Sequence, residues 1–261
     1  MSTMAPSLPS PKLAFIVPSS NTAVESLTIA ILSCLPSHLT VLPIFTRIRV
    51  LTLGTDASSL SQFSSATFLN AASLLADAQP AAILWNGTSG MFTGGTLQTD
   101  RDLAASMIGS LKDKIPCSTT TLAFAAALEH LKISDVSIAT PYTPSLTTAV
   151  ASFFEKESYT VHAALSLPTT PSSNLEIAKS SSREIKSLIR QSVVPGKTQA
   201  VLVTCTNWPA APFAAELEKE LGVCVLDSVV VTLWYGLRMM GMGEQVKACE
   251  ELKQWERLFS A

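Results

Sequence analysis

Four short apolar runs constrain this chain more than any other feature, because each stops at a turn of Pro, Gly, Asn or hydroxyl residues and then gives way to a helical pattern. They are Leu13 to Val17 before Pro18-Ser19-Ser20-Asn21, Ala81 to Trp85 before Asn86-Gly87-Thr88-Ser89, Val136 to Thr140 before Pro141-Tyr142-Thr143, and Ala200 to Thr204 before Cys205-Thr206-Asn207. A strand that is apolar along its whole length has both faces covered, and a turn into a helix carries the chain back over one of those faces. The pattern therefore predicts parallel strands in βα units. Thr40 to Phe45, Thr160 to Ala164 and Val223 to Leu226 read as further strands.

The runs also match in pairs. Leu13-Ala14-Phe15-Ile16-Val17-Pro18-Ser19 lies against Val136-Ser137-Ile138-Ala139-Thr140-Pro141-Tyr142, each a strand ending in Pro and a hydroxyl residue. Ala82-Ile83-Leu84-Trp85-Asn86-Gly87-Thr88-Ser89 lies against Ala200-Val201-Leu202-Val203-Thr204-Cys205-Thr206-Asn207, apolar for apolar and turn for turn. Any two βα units share some of this, but the paired elements are also similarly spaced. The expected fold is α/β: two lobes of one design, each with a parallel sheet, related by an approximate two-fold. Residues 1–11 are expected to be a tail, 12–120 with 228–261 the first lobe and 121–227 the second. Ligands of open parallel sheets bind beyond the carboxyl ends of the strands, so the four turns should meet in one cleft between the lobes, with Gly87 opposite Cys205.

Helix boundaries follow from apolar spacing and capping chemistry. Ala178, Ile185, Leu188, Ile189 and Val193 share a face in a helix expected to start at Ser173 or Asn174. Phe213, Leu217 and Leu221 recur every four residues between Pro212 and Gly222, the usual asymmetry of helix ends. Trp234, Tyr235, Leu237, Met239, Met240 and Met242 read as the packed face of a helix returning to the first lobe, and Glu250, Glu251, Lys253, Glu256 and Arg257 as a solvated face.

Charge and cysteine usage remove several classes of function. With 261 residues, 47% of them hydrophobic, the chain can bury one large core or two smaller ones. A net charge of -2 offers no footprint for nucleic acid or an anionic membrane. No run approaches the ~20 apolar residues of a bilayer helix. The opening MSTMAPSLPSP lacks a basic segment followed by an apolar one, and a cytoplasmic protein is expected. The five cysteines are widely spaced without a CxxC pair, arguing against a disulfide framework or a structural zinc.

Within the expected cleft, Gly87-Thr88-Ser89-Gly90 offers successive N–H groups and two hydroxyls at the start of a predicted helix, a cradle for a carboxylate or enolate oxygen. It lacks the lysine of a nucleotide P-loop. Tyr142 adds a phenolic donor from the other lobe. Cys205 is the group suited to proton transfer, since N–H donors in its turn could favour the thiolate. His38, His130 and His162 fall outside the four turns, which weakens a Cys–His hydrolase, and no metal-ligand spacing is present.

Taken together, Val17-Pro18-Ser19-Ser20-Asn21-Thr22, Gly87-Thr88-Ser89-Gly90, Thr140-Pro141-Tyr142, Asn174-Leu175-Glu176-Ile177-Ala178, Cys205-Thr206-Asn207 and Thr232-Leu233-Trp234 resemble the aspartate/glutamate racemase superfamily, in its arylmalonate decarboxylase and maleate isomerase branch. The resemblance implies two flavodoxin-like lobes, no metal or organic cofactor, and a site where members usually carry two cysteines. Here the first-lobe position is Gly87, and only Cys205 remains. By that resemblance Cys205 is the proton donor, Thr88, Ser89 and Tyr142 form the anion hole, and Pro18, Ser19, Asn21, Gly87, Asn174 and Thr206 bind the substrate.

The function expected is a cofactor-independent, decarboxylase-like lyase acting on a small malonate-type acid through an enolate that Cys205 protonates. A maleate-type cis-trans isomerase, an Asp/Glu-type racemase in the same cleft, or a non-catalytic carboxylate binder are the alternatives. The partner in every case is a small carboxylate, and no oligomeric state is read from the sequence.

Overall fold

A computed structural model of the chain describes residues 10–54, 56–171 and 173–261. Most of the tail expected at 1–11 lies outside the described residues. The first half runs β1 (Lys12–Pro18), α1 (Val24–Leu32), β2 (Leu42–Ile48), α2 (Ala57–Ser61), α3 (Ser65–Ala76), β3 (Ala82–Trp85), α4 (Leu97–Ser110), β4 (Cys117–Thr119) and α5 (Thr120–Leu131). The second repeats that order of elements: β5 (Asp135–Thr140), α6 (Pro144–Lys156), β6 (Thr160–Ser166), α7 (Asn174–Ile177), α8 (Ser182–Ser192), β7 (Ala200–Val203), α9 (Ala211–Leu221), β8 (Cys224–Asp227) and α10 (Ser228–Met239). A short helix α11 (Gly243–Lys247) and two 3₁₀ turns follow.

Each half forms a four-stranded parallel sheet, ordered β2-β1-β3-β4 and β6-β5-β7-β8. The central strands are the apolar runs of the sequence: Leu13 to Val17 and Ala200 to Val203 are wholly buried because helices cover both faces. The edge strands β2 and β6 are partly exposed and carry Arg47 and His162, which suits strands with one unpaired edge. The fold is thus α/β with two parallel sheets of one topology, as the repeat predicts.

The last helices of the two halves, α5 and α10, pack against each other, with Thr120 and Thr232 hydroxyls 2.8 Å apart. Helix α10 leaves the second sheet yet lies on the first. At Gly236 an added Cβ would stand 2.9 Å from a Leu13 methyl and 3.0 Å from one of Leu84, so the absence of a side chain sets how closely helix and sheet approach.

Three expectations at this level are corrected. Strand β4 was not anticipated, since Cys117-Ser118-Thr119 is short and mostly polar. The helix expected from Asn174 to Val193 is two helices. Ser173 caps α7 through the Glu176 amide, and Ser181 with Glu184 forms a capping box on α8, so the backbone restarts between them. Glu256, expected on a solvated face, is fully buried: its carboxylate accepts the Asp227 amide, while the Arg257 amide donates to buried Glu218.

Candidate active site

Because parallel strands begin turns of the same kind at the same end, the segments after β1, β3, β5 and β7 converge where the lobes meet, and side chains cross between them. Asn21 Nδ2 donates to Thr206 Oγ1 at 3.0 Å. Asn207 Oδ1 accepts the amides of Thr22 and Ala23 at 2.9 and 3.2 Å, and on its own side of the cleft its Nδ2 donates to Asn174 Oδ1 at 3.1 Å. Asn174 Nδ2 in turn reaches Ser20 Oγ at 2.8 Å. Thr88 of the first lobe and Tyr142 of the second share a hydrogen bond of 2.7 Å.

These residues enclose a cavity of about 30 Å³, lined by Pro18, Asn21, Gly87, Thr88, Ser89, Tyr142, Asn174, Cys205 and Thr206. Nine of the ten sequence-derived site residues therefore meet there. Ser19 does not: its hydroxyl accepts the Val50 amide at 3.1 Å, fixing the loop after β2. Asn21 and Asn174 have their amides committed to bonds between the lobes, so they set the spacing of the cavity as well as its surface.

The sequence reading missed the cavity's other wall. Val50, Leu53, Phe63, Trp85 and Phe92 present an apolar surface, with Asn207 at the polar side. Val50 and Leu53 lie in the loop after an edge strand, where Val50-Leu51-Thr52-Leu53 was the available signal: apolar residues where a loop facing only solvent would be polar. Among the described residues no Lys, Arg or His lines the cavity, and its polar groups are neutral donors and acceptors.

The anion cradle differs from the expected helix start. Ser89–Met91 is one 3₁₀ turn, and the next α-helix begins at Leu97. The Gly87 amide is taken by Thr120 Oγ1 at 3.1 Å, while the amides of Thr88 and Ser89 have no acceptor among the described residues. Ser89 Oγ accepts the indole N–H of Trp85 at 3.1 Å. A Cβ on Gly87 would lie 2.3 Å from Cζ2 of that indole, so the backbone approaches the ring as only glycine permits.

Cys205 follows β7 by two residues, as Gly87 follows β3, and is 3% exposed. Burial pushes its thiol up to about 11, against the opposing donation from the Tyr142 hydroxyl and the amides of Asn207 and Trp208, with the Asp227 carboxyl adding to the rise. Here desolvation outweighs the N–H donors that the sequence suggested would favour a thiolate. At neutral pH the group is a thiol, a donor of a proton and not a resting nucleophile. The Tyr142 phenol, fully enclosed and beside the sulfur, is likewise held well above its ordinary value, mainly by burial. Behind Cys205, burial raises Asp227 to about 7, although it accepts the amides of Val229 and Val230.

Comparison with known proteins places this geometry in context. A family model described as arylmalonate decarboxylase matches residues 56–253. Maleate isomerase of Alcaligenes faecalis is 27% identical over 133 residues, 51% of this chain and 52% of the relative, so the match spans about half the length of that curated relative. Among solved structures, a cysteine-to-serine variant of Nocardia farcinica maleate cis-trans isomerase, with a covalently bound succinylcysteine intermediate, superposes with a TM-score of 0.83 at 22% identity, covering 95% of this chain and 98% of that one. A liganded variant of arylmalonate decarboxylase, with one glycine changed to cysteine and one cysteine to serine, gives a TM-score of 0.78 at 20% identity, covering 96% and 99%.

Proposed function

Since the chain belongs to the arylmalonate decarboxylase family, we propose that it is a cofactor-independent, decarboxylase-like lyase of small malonate-type acids, acting in the cleft between a first lobe of residues 12–120 with 228–261 and a second of 121–227. The observation that carries this reading is a single protonated thiol, Cys205, sharing a cavity with a neutral anion cradle and an apolar wall, with glycine at the equivalent place in the other lobe.

The chemistry follows from those parts. One carboxylate of the substrate rests among the hydroxyls of Thr88, Ser89 and Tyr142 and the free amides of Thr88 and Ser89. The other faces Val50, Leu53, Phe63 and Phe92, where a charge loses hydration and gains no partner. Breaking the bond to that second carboxylate releases neutral carbon dioxide into the apolar side and leaves an electron pair on the α-carbon, delocalised onto the cradled carboxylate. Donors already aimed at the developing enediolate stabilise it without reorganisation. Cys205 then gives its proton to the α-carbon, and the thiolate regains one from water. One thiol yields one stereochemical outcome.

Maleate-type isomerisation is the second reading, favoured by the polar side formed by Asn21, Asn174, Thr206 and Asn207. It requires Cys205 to attack carbon as a thiolate, against its burial. Proton NMR in D₂O with 2-phenylmalonate and with maleate separates the two. Decarboxylation gives phenylacetate with deuterium at the α-carbon, and its loss in Cys205→Ser supports the proposal. Conversion of maleate to its trans isomer, with phenylmalonate untouched, overturns it.

A further inference from the structure

Trp85 belongs to the cavity wall, yet its contacts do more than line it. The indole is 1% exposed, with the Phe68 ring edge-on at 5.0 Å and Phe63 at 6.4 Å. Those neighbours fix the ring, and the fixed ring makes two contacts with the anion cradle. Its Nε1–H donates to Ser89 Oγ at 3.1 Å. Its benzo edge fills the space beside Gly87, where a Cβ would meet Cζ2, Cε2 and Cη2 at 2.3, 2.6 and 2.9 Å. A hydroxyl that accepts one hydrogen bond keeps its proton for donation elsewhere, and Ser89 lines the cavity that Cys205 shares. A flat ring against Gly87 also leaves no room on that side of the cavity for a second proton-transferring side chain.

We propose that Trp85 is a positioning and specificity-determining residue, whose N–H turns the Ser89 hydroxyl proton toward the bound acid and whose ring, filling the space beside Gly87, confines proton transfer to the Cys205 face. The first part rests on the decarboxylase reading for its kinetic readout; the second does not.

Two arms test it. In the first, Trp85→Phe keeps an aromatic ring and removes the N–H, and is compared with Ser89→Ala and the double variant in phenylmalonate turnover. The expected result is a fall in kcat of about tenfold or more for Trp85→Phe, with KM changed less than about threefold, and no further fall when it is added to Ser89→Ala. Equal losses from Trp85→Phe in the wild-type and Ser89→Ala backgrounds would show that the indole acts only as packing, and would overturn the positioning role. If the wild type does not turn phenylmalonate over, the decarboxylase reading fails separately. The Trp85 indole N–H resonance of ¹⁵N-labelled protein then serves, expected to move in Ser89→Ala; a resonance unchanged in that variant overturns the contact.

The second arm needs no decarboxylation. Gly87→Cys should lower the thermal midpoint in the wild-type background and do so much less alongside Trp85→Phe, which shortens the ring. With room made, the Trp85→Phe, Gly87→Cys protein should exchange the α-proton of both enantiomers of 2-phenylpropionate in D₂O, where the wild type favours one. A Gly87→Cys protein as stable as wild type would overturn the space-filling role. So would equal exchange of both enantiomers by the wild type.

Discussion

At residue 205, burial and hydrogen bonding oppose each other, and burial prevails, so the pH dependence should report an acid. An activity that needs the protonated thiol is complete below its pKa and falls as pH rises through it. The alkaline limb of kcat/KM is therefore expected near about 11, measured on phenylmalonate over a range of buffers. Tyr142→Phe removes a donor that favours the thiolate, so the limb should move higher still while the rate drops by about 10²-fold or more through loss of a cradle hydroxyl. Cys205→Ser, with its far weaker acid, should lose at least about 10³-fold in kcat. The residues flanking the sulfur could be read from the sequence, because a strand must end in a turn and turns expose polar groups. The direction of the thiol's shift could not. It depends on Tyr142 and Asp227, both distant in the chain, and on how completely the second lobe closes over the sulfur.

Among the elements, helix α9, strand β8 and the C-terminal turn bring Glu218, Asp227 and Glu256 into one dry volume, with Asp227 Oδ2 and Glu256 Oε2 unpartnered among the described residues. Asp227 rises from 3.8 to about 7 by burial, and Glu256 is raised for the same reason and by the two neighbouring carboxyls. A carboxyl raised by folding contributes stability that is full below its unfolded value and lost as pH climbs through its folded one. Glu256→Gln keeps an acceptor for the Asp227 amide and removes the like charge. At about pH 8 it should raise the thermal midpoint by about 2–4 °C, on the order of 1 kcal/mol, and the gain should close near about pH 5, as calorimetry at the two pH values would register. Gly236→Val has the opposite sense. Its methyls meet Leu13 and Leu84 between α10 and the first sheet, and a loss of about 1–3 kcal/mol is expected in denaturant titrations. Apolar runs identified the buried strands because short, wholly apolar segments have few alternatives. Strand β4 escaped because a three-residue strand depends on its neighbour, and the break between α7 and α8 escaped because apolar periodicity runs through it, although Ser181 and Glu184 spell a local capping box.

Across the whole molecule, the repeat that two pairs of motifs suggested extends to nine elements in each half and to identical strand orders, and this is what sets Gly87 and Cys205 at equivalent positions in the two lobes. The lobes are held at their mutual distance by a chain of side-chain hydrogen bonds, Asn21 to Thr206, Asn207 to the Thr22 and Ala23 amides, and Asn174 to Ser20. Asn207→Ala removes acceptors from the Thr22 and Ala23 amides and one link of that chain. It should raise KM for phenylmalonate by about tenfold and lower kcat as well, since small errors in placement at a reacting centre are costly. The apolar wall stayed hidden from sequence because its residues come from loops, whose positions depend on both lobes being in place.

The packing of α10 on the sheet of the opposite half has one more consequence. Severed in the short connection between α5 and β5, the chain would yield two polypeptides, one holding the anion cradle and the other the thiol, each with a greasy flank that solvent does not tolerate. Such fragments should be poorly soluble alone and should recover activity when produced together, so the two parts of the reaction could be inherited on separate chains.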